Sequence, residues 1–157
     1  MRLLFTFVLV LIGVITYSQE SIRIGNIKNS IVMGPLSGNR ELSFGVQNIL
    51  EEVLQEKGYI LDPQSQKVVT LEIIYFDVRK TSVQLSIYGK SVEVTEIVAQ
   101  GKLFLNDKEL NVVIVKGQSK SISTSTLIID NGGKFSQSDV SSSIKKLCEQ
   151  LIEKLKL

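Results

Sequence analysis

The hydrophobic pattern of the chain centres on residues 68–78, VVTLEIIYFDV, in which apolar side chains occupy both parities. One parity carries Val69, Leu71, Ile73 and Tyr75, and the other carries Val68, Ile74, Phe76 and Val78. The β-branched and aromatic content favours a strand over a helix. A strand that is apolar on both parities needs cover on both faces, or cover on one face and a partner on the other. We therefore predict that residues 68–78 form the central strand of a sheet.

Two segments with a helical period of apolar side chains could cover that strand. Residues 42–57 have an apolar stripe opposite a row of Gln and Glu, and Gly58 suits the left-handed position that ends a helix. Residues 136–157 have a second stripe, and Ser136 with Asp139 fits a capping box. We expect both helices on one side of the sheet, although the two-sided apolarity of residues 68–78 favours opposite sides.

The other strands are predicted from period-two alternation at residues 21–28, 83–88, 92–105 and 110–116. Apolar residues change parity around Thr95 and Glu96, which predicts a β-bulge or a break into two strands. Residues 106–109, NDKE, read as a four-residue hairpin turn. Residues 117–126, GQSKSISTST, are interpreted as a solvated strand face, with glycan binding by the hydroxyls as the alternative.

The order of these elements predicts the fold class. It is α+β, with a mixed, mostly antiparallel sheet of five to six strands and two amphipathic helices packed on it, in the order β-α-β-β-β-β-α. No internal repeat or linker divides the chain. Residues 19–157 are therefore expected to form a single domain.

The first 18 residues have the pattern of a secretory signal. Arg2 precedes an uncharged apolar run at residues 3–15, and Thr16-Tyr17-Ser18 offers small residues before Gln19. The run is shorter than the roughly 20 residues that cross a bilayer, so we expect cleavage rather than a permanent anchor. No second apolar run is long enough to span a membrane, and no cysteine stands near the junction to carry a lipid.

Composition narrows the classes of function. The chain has 18 basic and 16 acidic side chains and no histidine. This balance gives no reason to expect nucleic acid or an anionic membrane as a partner. The lone cysteine, Cys148, lies on the apolar stripe of the second helix and is interpreted as a core residue, with an intermolecular bridge or a reactive thiol as alternatives.

No catalytic, cofactor-binding or metal-binding residue is predicted. Catalytic triads and histidine–zinc sites need an imidazole. Neither phosphate-binding glycine motif is present. Asp77 and Arg79 leave the central strand on the same parity, and we expect a same-face ion pair there. Residues Asp77, Glu72 and Glu96 are the carboxylates on which a histidine-free cell-wall hydrolase would depend.

The candidate residues for partner contact lie in the loop at residues 29–41. This loop is more apolar than a solvated loop needs, and either its apolar residues tuck under the sheet edge or they form a contact surface. The candidates are Ile31, Val32, Met33 and Leu36.

A family resemblance rests on two stretches. The segment IRIGNIKNS, followed by the helix ILEEVLQEKGYILD, resembles the opening of small periplasmic domains in the curli-secretion CsgG family, the LpoB activators of penicillin-binding proteins and the YajG-type lipoproteins. The stretch VTEIVAQGKLFLNDKELNVVIVKGQSKSISTS, with the final helix, is most similar to the CsgG pattern. The lipid-bearing cysteine and long pore strands of those families have no counterpart here.

The resemblance implies an exported, non-enzymatic accessory or assembly protein in the periplasm or at the outer-membrane periphery. Its expected partner is a protein of the cell envelope, and no cofactor is expected. Secretion is the alternative location, and a homo-oligomer is left open. The alternative functions are a structural secreted or virion-associated subunit and, less favoured, the carboxylate-based cell-wall hydrolase.

Overall fold

The computed structural model describes residues 19–31, 41–85, 88–125 and 136–157. Its elements follow the order β-α-β-β-β-β-α, which confirms the predicted α+β class. They are β1 (Ser21–Asn29), α1 (Ser43–Glu56), β2 (Ile60–Leu61), β3 (Lys67–Leu85), β4 (Tyr88–Leu105), β5 (Lys108–Ser125) and α2 (Gln137–Leu155).

The five strands form one mixed sheet in the order β2-β1-β3-β4-β5. β1 runs parallel to both of its neighbours, because α1 carries the chain back across the sheet between β1 and the next two strands. β3, β4 and β5 form an antiparallel meander. β1 pairs with β3 only over the first part of that strand, so the later part of the meander extends past β1.

A one-residue bulge at Ile74 explains the two-sided apolarity of the central strand. Ile73 pairs with Ala99 and Tyr75 pairs with Val98, so Ile74 is the extra residue. Before the bulge the odd-numbered residues of β3 are buried, and after it Phe76 and Val78 are buried. The bulge therefore turns Phe76 and Val78 toward the same core that the earlier odd-numbered residues face, whereas Tyr75 is exposed on the other face. The strand needs helical cover on one side only.

Both helices contribute to a single core on one face of the sheet. α1 and α2 contact each other, and Lys145 of α2 reaches Glu56 of α1 at 2.9 Å. Between the helices and the sheet lie the largest fully buried side chains, which include Phe76, Ile22, Leu50, Leu71, Ile97, Leu147 and Leu151. The expectation that both helices pack on the same side is therefore correct.

Three strand-level expectations were wrong. Residues 79–82 continue β3 rather than breaking it, so residues 83–85 are not the start of a separate strand. β4 passes through Thr95 and Glu96 without a register shift, because Val92 and Val94 lie on the face away from the helices. The hairpin at residues 106–109 has a two-residue turn, since Leu105 already pairs with Lys108.

The capping box at the start of α2 also does not form. Ser136 makes no side-chain cap hydrogen bond, and its backbone N–H donates instead to Glu93 Oε1 at 3.2 Å. The Asp139 carboxylate is used elsewhere, since it accepts a 2.9 Å hydrogen bond from Ser119 Oγ on β5. Tertiary contacts to the sheet thus replace the local cap that the sequence suggested.

Candidate interaction surface

The sheet face opposite the helices, here called the open face, is built from alternate residues of β3, β4 and β5. Along β5 the odd-numbered Val113 and Val115 turn toward the core, and Val115 is fully buried. The even-numbered residues of the same strand point the other way because side chains alternate along a strand. The open face therefore carries the side chains that alternate with the core-facing residues of the same strands.

An apolar patch lies along β5 on the open face. Its three members are more than a third exposed, with relative exposures of 53% for Leu110, 39% for Val112 and 60% for Ile114. A β-bulge places Leu110, because Leu103 pairs with Asn111 while Phe104 pairs with Glu109. These aliphatic side chains share one part of one surface, so they form an uncovered patch rather than scattered single residues.

A charged cluster adjoins the patch. Arg79 bridges two carboxylates on neighbouring strands, at 3.4 Å from Asp77 and 2.8 Å from Glu96, and Lys116 lies 2.8 Å from Glu96. Tyr75 Oη donates to Asp77 at 3.1 Å. The expected ion pair between Asp77 and Arg79 is therefore confirmed, and it belongs to a network that spans β3, β4 and β5.

The electrostatics of this cluster follow from burial and pairing. The pKa of the Tyr75 phenol is raised, first because the ring is partly removed from water and then because it donates to Asp77. Asp77 and Glu96 are direct cross-strand neighbours, a like-charged arrangement that Arg79 relieves by binding both. The carboxylates are thus engaged in ion pairs on a sheet surface, which is a structural use of their charge.

Two cavities lie away from this cluster, near β1 and the segment that follows β2. One has a volume of about 260 Å³ and the other about 330 Å³, and both are lined by Arg23 and Pro63. Neither is lined by Asp77, Glu72 or Glu96, the carboxylates of the hydrolase alternative. Within the described ranges, no group of three acidic or cysteine side chains is placed to hold a metal ion.

The predicted contact loop is only partly visible. Ile31 is half-buried and packs against the core cluster. Val32, Met33 and Leu36 fall outside the described residues. The prediction that these four residues contact a partner therefore stays a prediction.

The hydroxyl-rich segment is not simply a solvated face. Ser119 is buried and donates to Asp139, while Ser123 and Ser91 share a hydrogen bond of 2.5 Å across β5 and β4. The serines of this parity lie on the helix side of the sheet. The interpretation of residues 117–126 as solvated is therefore wrong at Ser119, because the start of α2 covers it.

Cys148 lies in the core as expected. It is fully buried, and loss of solvation, with a smaller effect of Glu149, raises its pKa to about 12. A thiol of this kind is protonated at neutral pH and shielded from reagents. Its role in the described structure is packing.

The apolar patch was not identified as a candidate site from the sequence, although a signal was present. Residues 110–115, LNVVIV, have apolar side chains on both parities, as residues 68–78 do. In β3 the apolar residues of both parities arise from a bulge. In β5 they arise because the even-numbered apolar residues are exposed on the open face. Sequence alone does not separate these two causes, since both give the same run of apolar residues.

The fold is shared with solved bacterial structures. No protein-family model matches the sequence, and no curated protein matches it either. A minor lipoprotein from Acinetobacter baumannii matches with a TM-score of 0.53 and 6% identity, over 87% of this chain and 91% of that chain. A neuraminyllactose-binding hemagglutinin homolog from Helicobacter pylori matches with a TM-score of 0.55 and 12% identity, over 88% and 86%.

A hypothetical protein from Chlamydia trachomatis has the same arrangement, with a TM-score of 0.54 and 9% identity over 88% of this chain and 96% of that chain. At these identities the likeness establishes a common fold. Among the helices of the described residues, none has the length and apolarity to cross a membrane.

Proposed function

We propose that the protein is an exported, non-enzymatic accessory or assembly component of the bacterial cell envelope, and that it binds another protein through its open face. The observation that carries this proposal is the apolar patch at Leu110, Val112 and Ile114. Patches of clustered aliphatic side chains on an otherwise polar surface are typical of protein contact sites.

Two further observations support the envelope location. The predicted signal at residues 1–18 would direct the chain out of the cytoplasm, with residues 19–157 as the working domain. The fold is also that of a minor lipoprotein from Acinetobacter baumannii. The resemblance of the β4–β5 segment to the CsgG pattern favours an assembly role over a purely structural one.

The charged cluster gives the proposed contact its orientation. Arg79 and Lys116 present positive charge beside the patch, and both are paired with Glu96. A partner with an apolar centre and a charged rim would bury the patch. Its rim charges would lie beside the ion pairs of Glu96 with Arg79 and Lys116, which would keep their contacts with each other or with water. The contact therefore requires no catalytic chemistry from this chain.

Site-specific photocrosslinking in cells tests the proposal. A photoreactive residue at position 114 should trap one discrete envelope protein, whereas the same residue at Gln55, which is exposed on α1, should not. The crosslink should be lost when Val112→Lys is added, because a charge in the patch opposes its burial.

A product that forms equally from positions 114 and 55, or that survives Val112→Lys, would refute binding through the open face. A product that contains only two copies of this chain would replace the proposal with a self-assembling structural subunit.

A further inference from the structure

A row of three long polar side chains on α2 occupies the outer edge of β5. The side chains lie one helical turn apart, and each binds one backbone group of the strand. Lys146 Nζ donates to the Gln118 carbonyl at 3.0 Å, Gln150 Oε1 accepts from the Lys116 amide at 3.4 Å, and Lys154 Nζ donates to the Ile114 carbonyl at 3.0 Å. We call these three side chains the α2 row.

The three backbone groups are those that a further strand would use. Residues 114, 116 and 118 have the same parity, and in an antiparallel ladder every second residue directs both its N–H and its carbonyl away from the paired neighbour. Among the described strands β5 lies at the edge of the sheet, so these groups point outward. The α2 row thus makes the hydrogen bonds that a sixth strand would make.

The distance between successive side chains of the α2 row matches the distance between the backbone groups that they bind on β5. Four residues of helix rise about 6.0 Å and two residues of strand about 6.8 Å. The mismatch is under about 1 Å per contact, and flexible lysine and glutamine side chains absorb it over three contacts. α2 runs antiparallel to β5 here, since the helix numbers rise from 146 to 154 as the strand numbers fall from 118 to 114.

The edge that the α2 row occupies is otherwise well suited to strand pairing. It has a continuous register from Asn111 to Gln118, and it borders the exposed Val112 and Ile114. Exposed apolar side chains beside free strand-edge groups are a known cause of edge-to-edge association. Any second copy of the chain has the same edge, and two β5 strands related by a two-fold axis would pair antiparallel and satisfy both edges at once.

We propose that the α2 row is a strap that holds the β5 edge closed against β5 of a second copy of this chain. With the strap in place, three of these edge groups have partners within their own chain. With the strap removed, two chains join their sheets through β5. This contact uses the edge of β5, so it is distinct from the face contact of the proposed function.

Removal of the strap tests the proposal. The variant Lys146→Ala/Gln150→Ala/Lys154→Ala changes three exposed helical positions to the residue with the highest helix propensity, so α2 is retained. We expect its dimer dissociation constant, measured by sedimentation over a range of concentrations, to be about tenfold or more lower than that of the parent chain, because three edge groups lose their partners.

A matched control removes the same side-chain types elsewhere. In Lys28→Ala/Gln55→Ala/Lys57→Ala, all three positions are exposed and lie on β1 or at the end of α1, away from β5. This control should associate as the parent does. Adding Lys116→Pro to the strap variant should restore parent behaviour, because proline removes an outward N–H while leaving the β4 ladder intact.

A folded strap variant whose dissociation constant equals that of the parent and the control would overturn the proposal. So would an association that persists after Lys116→Pro, since it would not use the β5 edge. Should the triple variant fail to fold, Lys146→Ala/Lys154→Ala serves as the test. It should shift association in the same direction, and an unchanged constant would count against the strap.

Discussion

Gly117 and Gly101 let α2 approach the sheet more closely than any other residue would. A Cβ atom at Gly117 would overlap the backbone carbonyl of Ser143, and one at Gly101 would overlap the Leu151 side chain. The two sites differ in what must move. A backbone carbonyl of a helix is fixed, whereas the end of a leucine side chain can change rotamer.

Gly117→Ala is therefore expected to destabilise the protein by roughly 2–3 kcal/mol, since the helix must shift off the sheet. Gly45→Ala in α1 is the control, because its Cβ would come no closer than 4.0 Å to Ile144. That substitution should raise the free energy of unfolding by up to about 1 kcal/mol through helix propensity. Denaturant unfolding measures both, and equal effects would show that close approach at Gly117 is unimportant.

Residue-level features were the hardest to foresee from the sequence. A glycine within a strand was visible at residues 101 and 117, yet nothing in the sequence shows which helix residue lies above it. The Asp77–Arg79 pair was foreseen because both partners lie on one strand. Glu96 and Lys116 were not foreseen as members, because they reach the pair only through the pairing of β3, β4 and β5.

The hairpin between β4 and β5 is closed by a tight turn. Asn106 and Asp107 have φ angles of 51° and 63°, both in the left-handed region. Two successive left-handed residues in a two-residue loop form a type I′ turn, whose twist matches that of the flanking strands. Asparagine and aspartate tolerate this conformation better than other residues with side chains.

Substitutions at Asp107 should therefore act in opposite directions. Asp107→Gly creates the preferred Asn-Gly pair and should stabilise the fold by up to about 1 kcal/mol. Asp107→Val should destabilise it by about 1–2 kcal/mol, because a β-branched side chain clashes in the left-handed region. Thermal unfolding monitored by circular dichroism gives the sign of each change, and the same sign for both would contradict the turn assignment.

Element prediction was accurate where the signal was local. The predicted helices at residues 42–57 and 136–157 agree closely with Ser43–Glu56 and Gln137–Leu155. The sequence predicts no strand at residues 79–82, RKTS, because their polarity is typical of a loop. They are strand because this part of the meander is exposed, so polar residues suit it without breaking the ladder.

For the whole molecule, the helices cover only part of the meander. The core-facing residues of β4 are buried from Thr95 to Leu103, whereas Glu93 and Ser91, further along the same face, are only half-buried. On the neighbouring strands, Ser82 and Ser123 of that face are exposed. The meander therefore has a proximal half that belongs to the core and a distal half that is held mainly by strand pairing.

Amide hydrogen exchange should report this division within a single strand. β4 is central, so the amides of Val92 and Ala99 lie on a strand paired on both sides. We expect Val92 to exchange at least about tenfold faster than Ala99, because local opening of the distal half exposes little apolar surface. Equal protection of the two amides would show that the meander opens as one unit.

The fold class could be predicted from the sequence because amphipathic helices and hairpins are local patterns. The order of strands could not, since the parallel pairing of β1 between β2 and β3 depends on contacts between distant residues. The open face was missed for the same reason. This face is exposed because both helices pack on the opposite face of the sheet. The bulge at Ile74 allows that arrangement, since it turns Phe76 and Val78 toward the helices.

The position of α2 at the end of the described chain has a consequence during synthesis. The strands are complete at Ser125, while the helix that covers Ile97 and Val115 and closes the β5 edge ends 30 residues later, at Leu155. At about 5–20 residues per second, a ribosome needs roughly 2–6 seconds for that interval. A nascent sheet would meanwhile expose apolar side chains on one face and the unpaired β5 edge, so a chaperone that delays strand pairing until α2 has been synthesised would raise the yield of this protein.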